Sequence, residues 1–188
     1  MIDTSKKFLV AGAGKSGIGS VNLLLKTGAD VSLYDGNEEL DKEALFEKLY
    51  EKKEISLVLG NITKEDIEKY DLLVLSPGIS VNAPIAQMFY DQEKPVWSEI
   101  ELAYQASKGK IAAITGTNGK TTTTALTGEI MKGYYESSFV VGNIGIPYTS
   151  VALDTQENSV ITAEISSFQL ETIVDFKPDV CAVLNITP

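Results

Sequence analysis

Residues Thr115-Gly-Thr-Asn-Gly-Lys-Thr-Thr122 combine a lysine, two glycines and a run of hydroxyls behind the apolar stretch 111–114. A strand, a glycine-containing loop and a helix in that order let backbone N–H groups wrap phosphate oxygens, and the helix N-terminus adds positive dipole. Gly116, Thr117, Asn118, Gly119, Lys120, Thr121 and Thr122 are the residues so placed. Lys120 is positioned to bring a point charge to β- and γ-phosphates, and the Thr121 hydroxyl to ligate Mg²⁺. The general pattern G-x-x-x-x-G-K-[ST] puts its first glycine at position 114, which is isoleucine here; Gly116 gives a tighter loop. A Gly-Asn turn before a threonine-rich helix is the alternative without chemistry.

A second glycine set, Gly12, Gly14 and Gly17, follows the apolar stretch 7–11 and precedes a helical run that stops near Gly28. The next strand, 30–34, ends at Asp35, 23 positions after Gly12. This is a G-x-G-x-x-G arrangement with a following acid, which serves dinucleotides and other nucleotide diphosphates alike. Gly12 and Gly14 allow close approach of a diphosphate, and Asp35 can accept from ribose hydroxyls or a base N–H. Tight helix–strand packing beside a solvated Asp35 accounts for the same residues without a ligand.

The elements that must carry these residues alternate strand and helix, which predicts parallel sheets. Apolar strands are expected at 56–59, 72–75 and 95–97, with helices at 41–53 and 83–91 and an N-cap at Thr63. Residues 98–101 read as a capping box opening a connecting helix to about Ser107. Beyond the phosphate loop come a helix at 121–132 and strands at 139–141, 160–163 and 180–186. Glu164 stands at a strand end, and 166–169 reads as another capping box. The fold class expected is α/β: a Rossmann-like doubly wound parallel sheet domain over 1–98, then the first part of a P-loop ATPase α/β domain over 99–188.

Composition narrows the chemistry. The 188 residues carry a net charge of −10, which argues against nucleic-acid or anionic-membrane surfaces. No apolar run reaches the roughly 20 residues of a membrane helix, so a cytoplasmic chain without membrane insertion is expected. Histidine is absent, excluding histidine bases, triads and metal sites within these residues. The single cysteine, Cys181, sits in an apolar run and reads as a buried small hydrophobe.

Thr115–Thr121, Gly142-Asn-Ile-Gly145 and Glu164-Ile-Ser-Ser-Phe-Gln-Leu170 together resemble the Mur ligases of peptidoglycan synthesis, a cell-wall pathway serving cell shape and division. Folylpolyglutamate synthetases share the loop motif. Ser76-Pro-Gly78 and the Ser-Ser-Phe-Gln-Leu run are similar to the branch that adds D-glutamate to UDP-N-acetylmuramoyl-L-alanine. The resemblance implies a UDP-sugar domain, a central ATPase domain and a third domain, of which this chain would hold the first and part of the second. It implies ATP and Mg²⁺ as cofactors, an acyl-phosphate intermediate, Lys120 and Glu164 as catalytic, and Thr121 and Glu164 as metal ligands. It assigns Gly12, Gly14, Lys15, Ser16, Asp35 and Gly78 to the uridine diphosphate, and Asn143 and Ser166 to the muramoyl-alanine part. Where the family often has side-chain donors after the acid, Gly36-Asn37 stands here. The resemblance further implies a monomer when full length, and that these residues alone do not ligate, the family's aspartate–histidine segment, bridging lysine and glutamate-binding domain lying beyond Pro188. On the residues alone, Ser166 is equally a helix cap and Glu164 a solvated strand-end acid. An NAD-dependent oxidoreductase, a P-loop kinase, a sibling ligase and a non-catalytic nucleotide-binding module are the competing readings.

Overall fold

The computed structural model describes residues 2–143 and 145–187. Met1, Ile144 of the Gly142–Pro147 run, and Pro188 lie outside the described residues.

Two all-parallel sheets carry the chain. The first has five strands in the order β3-β2-β1-β4-β5: β1 (Lys7–Ala11), β2 (Asp30–Asp35), β3 (Ser56–Leu59), β4 (Leu72–Leu75) and β5 (Val96–Ser98). All four residues of β4 are buried, as are the last four of β1, which explains their unbroken apolar sequences. From β1 the chain winds to β2 and β3 on one side, then crosses to β4 and β5 on the other. The crevice at such a reversal opens outside the strands' carboxyl ends. Ala11 pairs with Leu75, so the turns at Gly12 and Ser76 face each other there.

The second sheet runs β7-β8-β6-β9, with β6 (Lys110–Thr115), β7 (Ser138–Gly142), β8 (Val160–Glu164) and β9 (Val180–Val183). Ile114 pairs with Glu164 and Thr115 with Val183, so the loops after β6, β8 and β9 meet at one end. Helix α1 (Lys15–Thr27) covers the first sheet, and α6 (Lys120–Tyr134) follows β6. Helix α5 (Glu99–Ala106) lies between the sheets. Its Ile100, Leu102 and Ala103 belong to one buried cluster that takes in Phe8 and Val10 from one sheet and Ile111 and Ile161 from the other.

Four local expectations are corrected. The helix predicted at 41–53 is only α2 (Lys42–Phe46) plus a 3₁₀ turn, Tyr50–Lys52. Asn22 of α1 stops it: its side chain accepts from the Tyr50 N–H at 2.6 Å and donates to the Lys48 carbonyl at 3.1 Å, pulling the chain out of helical register. The strand predicted to Ile186 ends at Val183, because Asn185 turns to bond the phosphate loop. Cys181 is exposed rather than buried, since every residue of β9 is exposed. At 98–101 the Ser98 hydroxyl accepts from the Glu101 N–H at 3.2 Å, but Glu101 does not return the bond. Its Oε2 instead accepts three N–H groups, from Val174, Asp175 and Phe176, at 2.8–3.1 Å.

Among the described residues no helix is long and apolar enough to cross a membrane.

Candidate functional site

The first site forms at the reversal of the five-stranded sheet. Gly12 has φ +97°, and Gly14 caps α1, so Lys15 and Ser16 belong to the first helical turn rather than to a longer loop. Gly17 packs directly on the turn: a Cβ there would lie 1.7 Å from the Gly12 carbonyl oxygen. With no side-chain cap, the N–H groups of Lys15, Ser16 and Gly17 carry no hydrogen bond among the described residues, and Ile18 is the first to bond back, to Gly14 at 2.9 Å. Open amides at a helix start suit an anion.

Asp35 closes this turn. Its Oδ2 accepts from the Ala13 N–H at 2.7 Å and its Oδ1 from the Asn37 N–H at 2.9 Å. The acid therefore braces the glycine turn, and each oxygen keeps a second lone pair for a ligand. A cavity of about 600 Å³ opens here, lined by Gly12, Gly14, Lys15, Ser16, Asp35 and Gly78, with Asn143 from the second sheet. Ser76 and Pro77, in the loop that the sequence reading places at a strand's carboxyl end where ligands bind, share this lining; so does Pro147, which sequence reasoning missed for want of such a signal.

The second site forms at the end of β6. Gly119, at φ +83°, caps α6, and the N–H groups of Gly119, Lys120, Thr121 and Thr122 carry no hydrogen bond among the described residues. Lys120 folds back over the loop, its Nζ donating to the carbonyls of Gly116 at 2.7 Å and Thr117 at 3.2 Å. The Thr117 and Asn118 amides are not open: both are held by Asn185. A cavity of about 620 Å³ lies beside the loop, lined by Gly116, Thr117, Lys120, Ser166 and Asn185 among others. Ser166 thus sits with the phosphate loop, apart from the other residues assigned to the sugar nucleotide. It also caps α7 (Ser167–Leu170) in a two-way box with Gln169.

Between the two sites stands Glu164. At 1% exposed it is no solvated strand-end acid. Its Oε1 accepts from the Asn143 side-chain amide at 3.0 Å, while Oε2 is buried without a partner. An orphaned carboxylate oxygen at a strand end fits a hard cation, which prefers oxygen ligands. Asn143 reaches Glu164 from the first cavity. A further cavity of about 300 Å³ shares Pro77, Gly78 and Ile79 with the first and Phe168 with the second. The two turns with open amides thus face adjoining space.

A family profile described as Mur ligase MurD-like, N-terminal domain, matches residues 6–98, and one described as Mur ligase middle domain matches residues 114–188. The chain belongs to the Mur ligase family. Among Mur ligases it is 55% identical to the UDP-N-acetylmuramoylalanine–D-glutamate ligase of Lachnoclostridium phytofermentans over 97% of its own length and 40% of the relative's. The enzyme of that name from Lachnospira eligens is likewise 55% identical, over 98% of this chain and 41% of the relative. The chain therefore spans about 40% of the curated Mur ligases it matches. Thermotoga maritima UDP-N-acetylmuramate-alanine ligase MurC superposes with a TM-score of 0.53 at 22% identity, over 96% of this chain and 41% of that one, a likeness of fold.

Proposed function

We propose that this chain is the sugar-nucleotide and triphosphate-gripping part of an ATP-dependent ligase that joins D-glutamate to UDP-N-acetylmuramoyl-L-alanine. The observation that carries the reading is the pair of open-amide cradles, one at each sheet's opening strand–helix junction, whose cavities share lining residues with a third. Residues 1–98 hold the uridine diphosphate: the Lys15 and Ser16 amides meet phosphate oxygens, Asp35 faces the uracil, and Gly78 lies alongside. Asn143 and Ser166 contact the muramoyl-alanine arm. Residues 99–188 hold ATP at the loop 116–122, through the open amides of Gly119, Lys120, Thr121 and Thr122, with Gly116, Thr117 and Asn118 shaping the loop.

In this reading the alanine carboxylate attacks the γ-phosphorus, ADP departs, and an acyl phosphate forms. The D-glutamate amine then attacks the acyl carbon, the C–O bond to phosphate breaks, and an amide, inorganic phosphate and a proton result. Phosphoryl transfer rests on positioning and charge neutralisation. Lys120 supplies the charge once it leaves the Gly116 and Thr117 carbonyls. Mg²⁺, when bound, neutralises phosphate charge; the Thr121 hydroxyl would hold one ion and Glu164 Oε2 would help hold a second. The compartment this chemistry requires is the cytoplasm, where ATP is available.

Titrating the protein with UDP, NAD and ATP tests the reading. Saturable binding of UDP and of ATP is expected, with Lys120→Ala weakening ATP by about a hundredfold, the scale of a lost charge-assisted contact, and leaving UDP unchanged. Binding of NAD without UDP would overturn it.

A further inference from the structure

Asn185 has no role in the function just described, yet it makes three hydrogen bonds to the phosphate loop. Its backbone carbonyl accepts from the Thr117 N–H at 3.0 Å, its Oδ1 accepts from the Asn118 N–H at 2.9 Å, and its Nδ2 donates to the Asn118 carbonyl at 2.9 Å. Two residues on, the Thr187 N–H donates to the Thr117 hydroxyl at 3.1 Å. Gly116 makes this approach possible. At φ +140°, any Cβ there would sit 3.1 Å from both the nitrogen and the oxygen of Asn185's own backbone.

We propose that Asn185 is a positioning residue for the triphosphate: it clamps the Thr117–Asn118 segment so that the open amides of Gly119 to Thr122 are fixed before any nucleotide arrives. The inference rests on the ligase reading given above. A loop with free amides and two glycines has many conformations, and ordering it on binding subtracts from affinity. Asn185 removes that cost by satisfying both the N–H and the carbonyl of Asn118 at once. The clamp also decides which amides meet the phosphates. Thr117 and Asn118 are consumed by Asn185, so the cradle is confined to the α6 N-terminus, where the helix dipole adds to the amide donors. Topology supplies the reach, because β9 lies next to β6 and delivers Asn185 to the loop that β6 launches. Since both ends of its side-chain amide are spent on the Asn118 backbone, its effect is indirect.

The test uses the full chain its gene encodes, with ATP plus Mg²⁺ and UDP titrated separately and amide hydrogen exchange followed in the absence of ligand. Asn185→Ala is expected to raise the ATP dissociation constant about tenfold, the effect of two lost hydrogen bonds, and to leave UDP binding unchanged. Exchange should quicken at Asn118, with the amides of β6 unaffected. Asn185→Asp, of the same shape but without the Nδ2 donor, is expected to weaken ATP while keeping Asn118 protected. ATP binding by Asn185→Ala equal to that of the unaltered protein, with UDP binding intact, overturns the inference alone. Parallel loss of ATP and UDP binding also overturns it, since Asn185 would then serve the fold. An unaltered protein that takes up UDP but not ATP removes the triphosphate reading itself.

Discussion

Gly17 is the most constrained position of the first cradle. A methyl group 1.7 Å from the Gly12 carbonyl cannot be accommodated without moving α1 off β1. Gly17→Ala is therefore expected to destabilise the chain by about 3 kcal/mol, the upper range for overpacking, and to abolish UDP binding. Urea unfolding and UDP titration check the two effects separately. Both glycine motifs were legible in the sequence because their work is done by backbone, and backbone geometry leaves glycine behind as its mark. Asp35 was legible as the acid that ends β2, but not its bracing of Ala13 and Asn37, since those bonds depend on how the turn closes. Asn185 was hidden for a similar reason: within an apolar run it reads as one more strand residue, and its partners lie 67 positions away.

At the scale of elements, Glu101 shows how one side chain can hold a loop in place of secondary structure. It is fully buried, and its Oε2 gathers the N–H groups of residues 174–176 where the chain turns toward β9. Glu101→Ala leaves three amides without their acceptor and is expected to cost about 3 kcal/mol. A lowered urea midpoint would register it, together with faster hydrogen exchange at 174–176. The strands were readable from the sequence because burial on both faces writes an unbroken apolar run. Helix 41–53 was not, because its acidic, polar sequence fits a helix locally and Asn22, which interrupts it, comes from a distant element. The Ser166–Gln169 box was read correctly because capping is local and leaves its signature within four residues.

At the scale of the whole molecule, the connecting helix α5 is tied to the segment after β7 through Glu99. This carboxyl is 1% exposed; its Oε1 accepts from the Thr149 N–H at 2.8 Å and the Thr149 hydroxyl at 2.9 Å, and its Oε2 has no partner. Burial pushes its pKa above the ordinary 4.5, only partly opposed by the Thr149 donors. Beside it, burial pushes the Tyr148 hydroxyl up to about 12, and that hydroxyl lies 2.6 Å from the Ser107 oxygen. The folded state thus holds the Glu99 proton more tightly than the unfolded chain does. The stability this gives is complete below pH 4.5 and is lost as pH rises through the folded value. Glutamine at this position keeps the acceptor for Thr149 and carries no titrating proton. The stability of Glu99→Gln relative to the unaltered chain is expected to grow with pH above 4.5, which urea midpoints measured from acid to neutral pH would reveal; a constant difference would refute it.

The buried cluster shared by the two sheets has a geometric result. On the function proposed above, with both grips mounted on one shared core, the gap between them would act as a ruler that gauges a sugar nucleotide by the length of its arm. UDP-N-acetylglucosamine, lacking the lactyl-alanine extension, should dock by its pyrophosphate yet fall short of the far grip. It should leave the ATP dissociation constant untouched, whereas the full-length arm should shift it.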